Sequence, residues 1–272
     1  MVIGAFYFIY NKLTTNNDLD FSAFVSFLKK NNVFSLKNIL FLLFLSFFNW
    51  FLEILKWQKL VSSIKKTSLP EALKQSLGAL TASLFTPNRI GDYGAKALYF
   101  TSEHRKRIVL LNFIGNMMQM AITMLLGVFG LYYFVTENQV DFNFSRIPRL
   151  LIIIAVISIF SVFGLKQKRF KIKGFSIEKV MGFVKNISVK IKVYTFVLSL
   201  LRYLVFSFQF YFLLGIFGVE LSYFQAMAAI TSMYLISSII PSIFIFDVII
   251  KGSIAVSLFT KVGVNEFTIL SI

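Results

Sequence analysis

Long apolar runs alternate with short polar segments along most of this chain. Four runs come close to, or exceed, the roughly 20 residues that a helix needs to cross the hydrocarbon core of a bilayer. They span residues 38–58, 108–134, 147–165 and 194–217. A further apolar region, 225–260, is broken by polar residues. The pattern predicts an all-α fold, a polytopic integral membrane bundle of helices.

Composition supports a membrane protein and removes several kinds of chemistry. The chain is 57% hydrophobic and has 34 Phe among 272 residues, well outside the usual range of soluble domains. It contains no Cys, which excludes disulfides, thiolate catalysis and cysteine-ligated metal. The single His104 excludes a site with several histidine ligands. We therefore expect no metal site and no cofactor.

The net charge of +16 is concentrated in alternate loops. Nine basic residues and one acidic residue, Glu178, lie in 166–192, and the loops 59–74 and 101–107 are also basic. The loop 136–146 is balanced. By the positive-inside rule the basic loops are cytoplasmic, where they attract anionic headgroups. This distribution indicates a multi-pass protein of the cell membrane, inner or plasma, and not a nucleic-acid-binding protein.

The segment 75–100 connects two of the cytoplasmic loops, so it cannot cross the membrane. We predict that it enters and returns as a re-entrant helical hairpin, whose turn is the sequence "TPNRIGDYG". Pro87 removes a backbone donor and ends the first half-helix. Gly91 and Gly94 are expected to allow close backbone packing. Irregular backbone at membrane depth must be covered by protein or by a wet cavity.

A second stretch, 237–259, repeats this arrangement. A proline interrupts an apolar run, Asp247 follows it by six residues, and Lys251 follows Asp247 at i+4. In the first hairpin Lys96 likewise follows Asp92 at i+4. Side chains at this spacing share a helix face and can pair. We predict a second re-entrant hairpin over the broken apolar region, entering from the opposite leaflet.

The order of span, hairpin and span therefore occurs twice, in opposite orientation, and 147–165 connects the two units. Inverted repeats with broken helices are a recurring design of transporters. We take residues 1–272 as a single transmembrane domain. The short apolar ends "MVIGAFYFIY" and "EFTILSI" suggest that this domain lacks part of its first helix and most of its last.

Four segments of the sequence resemble the flippase-like family, the transmembrane region of lysylphosphatidylglycerol synthase and its stand-alone relatives. They are "NWFLEILKWQKL", "SLFTPNRIGDYGAKAL", "RYLVFSFQFYFLLGIFGV" and "IIPSIFIFDVIIKGSIAVSLF". The resemblance runs from about residue 38 over nearly the whole chain, and covers the membrane half without the transferase domain. It implies a lipid translocase or transporter-like protein. The cargo would be an aminoacylated or other anionic phospholipid, or a lipid-linked substrate.

The first hairpin departs from the family's motif, which reads Pro-Gly-Gly, an apolar residue, Gly and an acidic residue. Here Asn88 and Arg89 replace the two middle glycines. Arg89 therefore adds a charge where the usual motif has none. A planar guanidinium suits a bidentate contact with phosphate.

Ionisable side chains inside a membrane cost about 2.5–3.5 kcal/mol each on insertion scales, so they are candidates for function. We predict that a lipid headgroup passes along a set of eight polar side chains: Glu53, Arg89, Asp92, Lys96, Arg202, Gln209, Asp247 and Lys251. The alternative is that each Asp–Lys pair only neutralises itself.

Two of these candidates suggest a contact between the repeated units. Glu53 forms a polar stripe with Asn49 at i−4 and Lys56 at i+3, and Gln209 lies on the same helix face as Arg202. Glu53 and Arg202 have opposite charges and occupy corresponding spans. We state their direct pairing as a hypothesis.

Other polar and aromatic residues have structural interpretations. Asn112, Asn116 and Gln119 form a stripe of amides, which in lipid serves to hold helices together. Trp50 and Trp57 are assigned to packing and to anchoring at the membrane interface.

Two other functions compete with translocation. An intramembrane hydrolase or transferase could use Asp92 and Asp247 as a dyad, but a lysine at i+4 from each works against a shared proton. A non-catalytic scaffold, or an inactive remnant, is the other alternative. We expect no enzyme and no catalytic residue. The expected partners are membrane phospholipids and further copies of this chain in a homo-oligomer.

Overall fold

A computed structural model describes residues 33–86, 90–138, 171–172, 175–239 and 244–272. In these ranges the regular structure is almost entirely helical. The helices are α1 (Leu36–Val61), α2 (Leu69–Leu84), α3 (Ile90–Leu98), α4 (Ser102–Glu137), α5 (Ile177–Asn186), α6 (Val189–Ile216), α7 (Tyr223–Ile239), α8 (Phe244–Phe259) and α9 (Glu266–Ser271). A 3-10 turn, Thr260–Val262, joins α8 to α9. The all-α prediction is confirmed, with one short antiparallel pair as an exception, β1 (Lys171–Ile172) with β2 (Phe175–Ser176).

Three helices, α1, α4 and α6, are long and apolar enough to cross a membrane. They confirm three of the predicted spans, while 147–165 lies outside the described residues. At a rise of 1.5 Å per residue, the 36 residues of α4 extend about 54 Å, longer than a bilayer core. The prediction that 101–107 is a loop was wrong, because its basic residues form the first turns of α4.

Large apolar side chains cover the outside of the long helices. Phe47 of α1 is 74% exposed and Phe129 of α4 is 71% exposed. A soluble protein of this size would not present so much contiguous apolar surface to water. Lipid tails are the solvent that suits these faces, so this is a membrane protein.

Serine side chains mark where several helices begin. Ser35 accepts a hydrogen bond from Asn38 N ahead of α1, and Ser188 accepts one from Ile191 N ahead of α6. Before α2, Ser68 and Glu71 form a reciprocal capping box. The hydrogen bond that the Ser68 backbone N–H donates also lowers the pKa of the Glu71 carboxyl below its usual value. These caps satisfy N–H groups that the first turn leaves unpaired.

Helices α2 and α3 run side by side in opposite directions. Tyr99 Oη donates to the Lys74 carbonyl at 3.4 Å near one end, and Gly91 N donates to Thr86 Oγ1 at 2.7 Å at the other. A Cβ at Gly91 would collide with the carbonyl oxygen of Ala82, so this position requires glycine. Around Gly94 there is open space, against the expectation of close packing. The predicted segment therefore contains two adjacent helices, the first beginning at Leu69, and its re-entrant course stays a prediction.

Helices α7 and α8, which follow α6 in the sequence, form a second packed pair. The connection 240–243 lies outside the described residues. The order of a long helix followed by a pair of short helices therefore recurs in the chain. The helix expected to begin near Glu266 is present as α9.

The two most extensive helix interfaces in the described ranges are α1 against α6 and α4 against α7. The second interface is very close, because a Cβ at Gly130 would overlap the Thr231 hydroxyl. A Cβ at Gly127 would lie 2.5 Å from Leu235 Cβ. Small residues let helix backbones approach in lipid, where burial of apolar surface supplies little attraction. We call this contact the glycine seam.

Candidate functional site

Five charged side chains meet where α1, α3, α4 and α6 come together. We call them the buried charge cluster: Glu53 and Lys56 of α1, Asp92 and Lys96 of α3, and Arg202 of α6. Glu53 is 8% exposed, and Lys56 and Lys96 are each 2% exposed. So many buried charges are costly unless each is paired.

Glu53 is at the centre of the cluster. Its Oε2 atom lies 2.6 Å from Lys56 Nζ and accepts a hydrogen bond of 2.6 Å from Arg202 Nη1. Its other oxygen, Oε1, is 4.0 Å from Lys96 Nζ. One carboxylate therefore attracts three cations from three helices.

Lys96 connects α3 to both of its neighbours. Its Nζ lies 3.2 Å from Asp92 Oδ1 and donates to Asn112 Oδ1 of α4 at 2.9 Å. Asn112 Nδ2 in turn donates to Asp92 Oδ2 at 2.6 Å, which closes a triangle of contacts. The same ammonium lies 4.6 Å from the centre of the Trp57 ring. The predicted Asp92–Lys96 pair is confirmed, but it also binds to α1 and α4 and does not close on itself.

Arg202 joins α6 to α1, which confirms the hypothesis of a Glu53–Arg202 pair. Its Nε donates to Asn49 Oδ1 at 2.7 Å. Seven residues on, Gln209 Nε2 donates to Ser46 Oγ at 2.9 Å. The two contacts place the helices antiparallel and confirm that Arg202 and Gln209 share a face. Ser46 was missed, because a lone serine in an apolar run gives little signal.

Trp57 is buried inside the bundle, which confirms the packing role expected for it. It is 1% exposed, and its Nε1 donates to Gln75 Oε1 of α2 at 2.7 Å. Trp50 lies beside the cluster, with its ring centre 5.9 Å from Arg202 Cζ. Each tryptophan thus places its ring near a buried cation, where a cation–π interaction adds stability.

A family model described as "Lysylphosphatidylglycerol synthase TM region" matches residues 2–272. The chain belongs to this family. The match therefore also includes the residues before about residue 38, where the sequence resemblance begins. No match was found among curated proteins or among solved structures. The fold and the buried charge cluster described above are thus those of a membrane region of this family.

The described contacts do not connect three of the candidate residues to the cluster. Arg89 lies outside the described residues, and so does the side chain of Asp247. Lys251 is half-buried on α8, whose neighbours include α7 and α9. The joining of the two Asp–Lys pairs around one cavity therefore stays a prediction.

Lys56 was missing from the predicted site although it belongs to the same polar stripe as Glu53. Its Nζ is fully buried, and within the described part of the chain the acceptor that it contacts is Glu53 Oε2 at 2.6 Å. The signal that could have identified it was its spacing of three residues from Glu53.

Several neutral polar atoms near α6 are also buried without a hydrogen-bond partner among the described residues. They are Gln119 Oε1, Ser199 Oγ and Tyr203 Oη. Gln119 Nε2 donates to the Ser199 carbonyl at 3.3 Å, which links α4 to α6 as expected for the amide stripe. Asn112 has a larger role than that stripe predicted, because it contacts two charges of the cluster.

The chemistry of the cluster is that of charged hydrogen bonds. Its cations can bind an anion, and its carboxylates can hold the cations in place. Across the described ranges no group of three or more His, Cys, Asp or Glu side chains has the arrangement of a metal site.

Proposed function

We propose that this protein moves a phospholipid between the two leaflets of the cell membrane, and that the headgroup passes the buried charge cluster. The partner in this proposal is a membrane phospholipid, and no covalent step is included. Membership of a family of membrane regions associated with lipid synthesis supports a lipid as the cargo.

The observation that carries the proposal is the joining of α1, α3 and α6 through charge, with Asn112 of α4 bound to two of the charges. A structural clip needs one neutral pair, whereas here five charges lie together, three of them buried and two partly buried. Each costs free energy in a membrane, so their retention is better explained by a polar ligand. Lys96 and Arg202 could exchange a protein partner for a phosphate oxygen without leaving the cluster.

The hairpins support the same function. Helices α2 and α3 have 16 and 9 residues, which correspond to about 24 and 14 Å and are both short of a bilayer core of about 30 Å. We take α2–α3 and α7–α8 as re-entrant hairpins that enter from opposite leaflets, in an inverted repeat. The break before α3 then brings Asp92 to membrane depth, where an unwound segment needs polar neighbours.

A vesicle assay tests the proposal. The purified chain is reconstituted with a phospholipid carrying a fluorescent headgroup label, and dithionite is added outside. Translocation exposes inner-leaflet lipid to dithionite, so fluorescence should continue to fall after the outer leaflet is quenched. Empty vesicles should show no second phase. Hydrolysed or transferred lipid is measured in the same vesicles.

The variant Asp92→Asn keeps the shape of the side chain but removes its charge. We expect it to slow the second phase strongly. The matched control is Glu103→Gln, an exposed carboxylate on the first turn of α4 outside the cluster. A protein that gives no second phase would indicate the scaffold alternative, and formation of lipid products would indicate an enzyme. Equal rates in both variants would contradict the role of the cluster.

A further inference from the structure

The buried charge cluster contains more positive than negative charge. Three cations meet two carboxylates among its described side chains. Asp92 balances Lys96 at 3.2 Å. Glu53 must then neutralise both Lys56 and Arg202, and both contact the same oxygen, Oε2. Among the side chains that the structure describes, one positive charge is thus left over, at Lys56 and Arg202.

Lys56 also has fewer acceptors than donors among the described residues. An ammonium has three donors, and buried donors in proteins are almost always satisfied. Lys56 is 2% exposed, and the acceptor that its Nζ meets in the described part of the chain is Glu53 Oε2 at 2.6 Å, which it shares with Arg202. An anion with several oxygens would supply both the missing acceptor and the missing charge.

Arg202 supplies the approach to Lys56. Its side chain is 20% exposed, against 2% for that of Lys56. Two of its five N–H donors are directed at Asn49 and Glu53. The remaining edge of the guanidinium suits two oxygens of a phosphate. Because Arg202 and Lys56 touch one carboxylate oxygen, a phosphate bound by Arg202 is within reach of Lys56.

We infer that Lys56 and Arg202 together bind one phosphate group, and that the preferred lipid is anionic and carries no amine. The lipid source of this phosphate rests on the proposed function. A phosphodiester has a single negative charge, which balances the surplus of the cluster. An aminoacyl group on the same lipid adds at least one ammonium and restores the imbalance. The site therefore favours a plain anionic phospholipid over an aminoacylated one.

Thermal unfolding of the purified full chain in detergent tests this selectivity, because a ligand that binds the native state raises the midpoint. The probes are phosphatidylglycerol, phosphatidylcholine, lysylphosphatidylglycerol and inorganic phosphate. We expect phosphatidylglycerol to give the largest rise, followed by phosphatidylcholine and then by lysylphosphatidylglycerol. Native mass spectrometry of the same samples counts the lipids that stay bound.

Lys56→Met is the decisive variant, and Lys59→Met, one turn further along α1, is its matched control. Losing one charge-assisted hydrogen bond should weaken phosphatidylglycerol binding by about tenfold or more. Without lipid, Lys56→Met should be at least as stable as the wild type, because it removes the surplus positive charge and leaves Glu53 paired with Arg202, with Lys96 4.0 Å away. A lysine with a merely structural role would instead lower the midpoint without lipid. Lys59→Met should keep the full response to lipid.

The remaining outcomes separate this inference from the proposed function. Equal stabilisation by the three lipids, or a preference for lysylphosphatidylglycerol, would overturn the inference. Inorganic phosphate acting as strongly as phosphatidylglycerol would keep the phosphate site but make its ligand a soluble anion, against lipid transport. Selective binding that Lys56→Met abolishes, in a protein that translocates no lipid, would keep the site and refute the transport proposal alone.

Discussion

Arg202 Nη1 donates a hydrogen bond of 2.6 Å to Glu53 Oε2 and joins two membrane-length helices across 149 positions of the chain. Each residue is in the middle part of its helix, where a lone charge would be expensive. The two residues differ in their number of oppositely charged neighbours. Glu53 has two other cations close by, whereas Arg202 has no second carboxylate among its described contacts. That asymmetry makes their substitutions unequal.

Replacing Glu53 should destabilise the protein more than replacing Arg202. Glu53→Gln leaves three cations facing Asp92, and breaking a buried pair in this way costs about 3–5 kcal/mol. Arg202→Gln leaves Glu53 paired with Lys56 and Asp92 with Lys96, so its cost should be smaller. Midpoints of thermal unfolding in detergent give the comparison. A lower midpoint for Arg202→Gln than for Glu53→Gln would contradict this account of the cluster.

Lys96→Met should loosen α3 from both α1 and α4. The substitution removes the hydrogen bond to Asn112 and the ion pair with Asp92, and leaves the carboxylate of Asp92 with Asn112 alone. We expect a loss of about 1–3 kcal/mol and faster proteolysis of the α2–α3 hairpin. Lys74→Met, at an exposed position of α2, is the control and should change neither.

Trp57→Phe should destabilise the contact of α1 with α2. The variant keeps most of the apolar packing but removes the indole N–H. The side-chain oxygen Oε1 of the buried Gln75 then has lost the donor of this hydrogen bond. An unsatisfied buried acceptor costs about 1–3 kcal/mol. In the double variant Trp57→Phe with Gln75→Leu, the unpaired amide is gone and part of the stability should return. Additive losses in the double variant would argue against this hydrogen bond.

Gly130→Ala should be disruptive in spite of the higher helix propensity of alanine. The added methyl group would overlap the Thr231 hydroxyl, and overpacking of this kind costs about 1–3 kcal/mol. Gly215→Ala in α6 is the matched control, because no atom lies within 4 Å of the position of its Cβ. Unfolding midpoints in detergent should fall for the first variant and not for the second.

Single-cysteine labelling tests the orientation proposed for the α2–α3 hairpin. The chain has no native cysteine, so Ser68→Cys and Ser102→Cys each introduce one reactive site. Both positions are exposed, and we expect no reaction with an impermeant reagent added outside intact cells. Ser222→Cys, in the exposed α6–α7 connection, should react and serves as the positive control. Labelling of Ser68→Cys or Ser102→Cys from outside would exclude the re-entrant arrangement.

Features with a short sequence range could be predicted from the sequence. The apolar runs predicted the three long helices, and the proline and glycine signals predicted a break between α2 and α3. The i+4 spacing predicted the Asp92–Lys96 pair. Opposite charges in matching spans led to Glu53–Arg202, because a buried charge must find a partner. That argument rests on the free-energy cost of an unpaired buried charge, so it applies even to residues far apart in the sequence.

Features that depend on which helices are neighbours could not be predicted. Gln75 looks like an ordinary polar residue of a short helix, and only the position of α2 beside α1 makes it the partner of Trp57. Lys56 resembles a lysine that reaches for water, yet it is buried inside the bundle, with Gly115 of α4 beside its side chain. The start of α4 was placed too late, because a basic stretch is typical both of a loop and of the solvent-exposed end of a helix.

Helix α4 makes two different kinds of contact, one at the glycine seam and one at the buried charge cluster. One face meets α7 backbone to backbone and tolerates no added atom at Gly130. The opposite end presents Asn112 to side chains that are long, charged and able to exchange partners. Substitutions around Asn112 can therefore change the contacts of the buried charge cluster while the α4–α7 contact preserves the architecture.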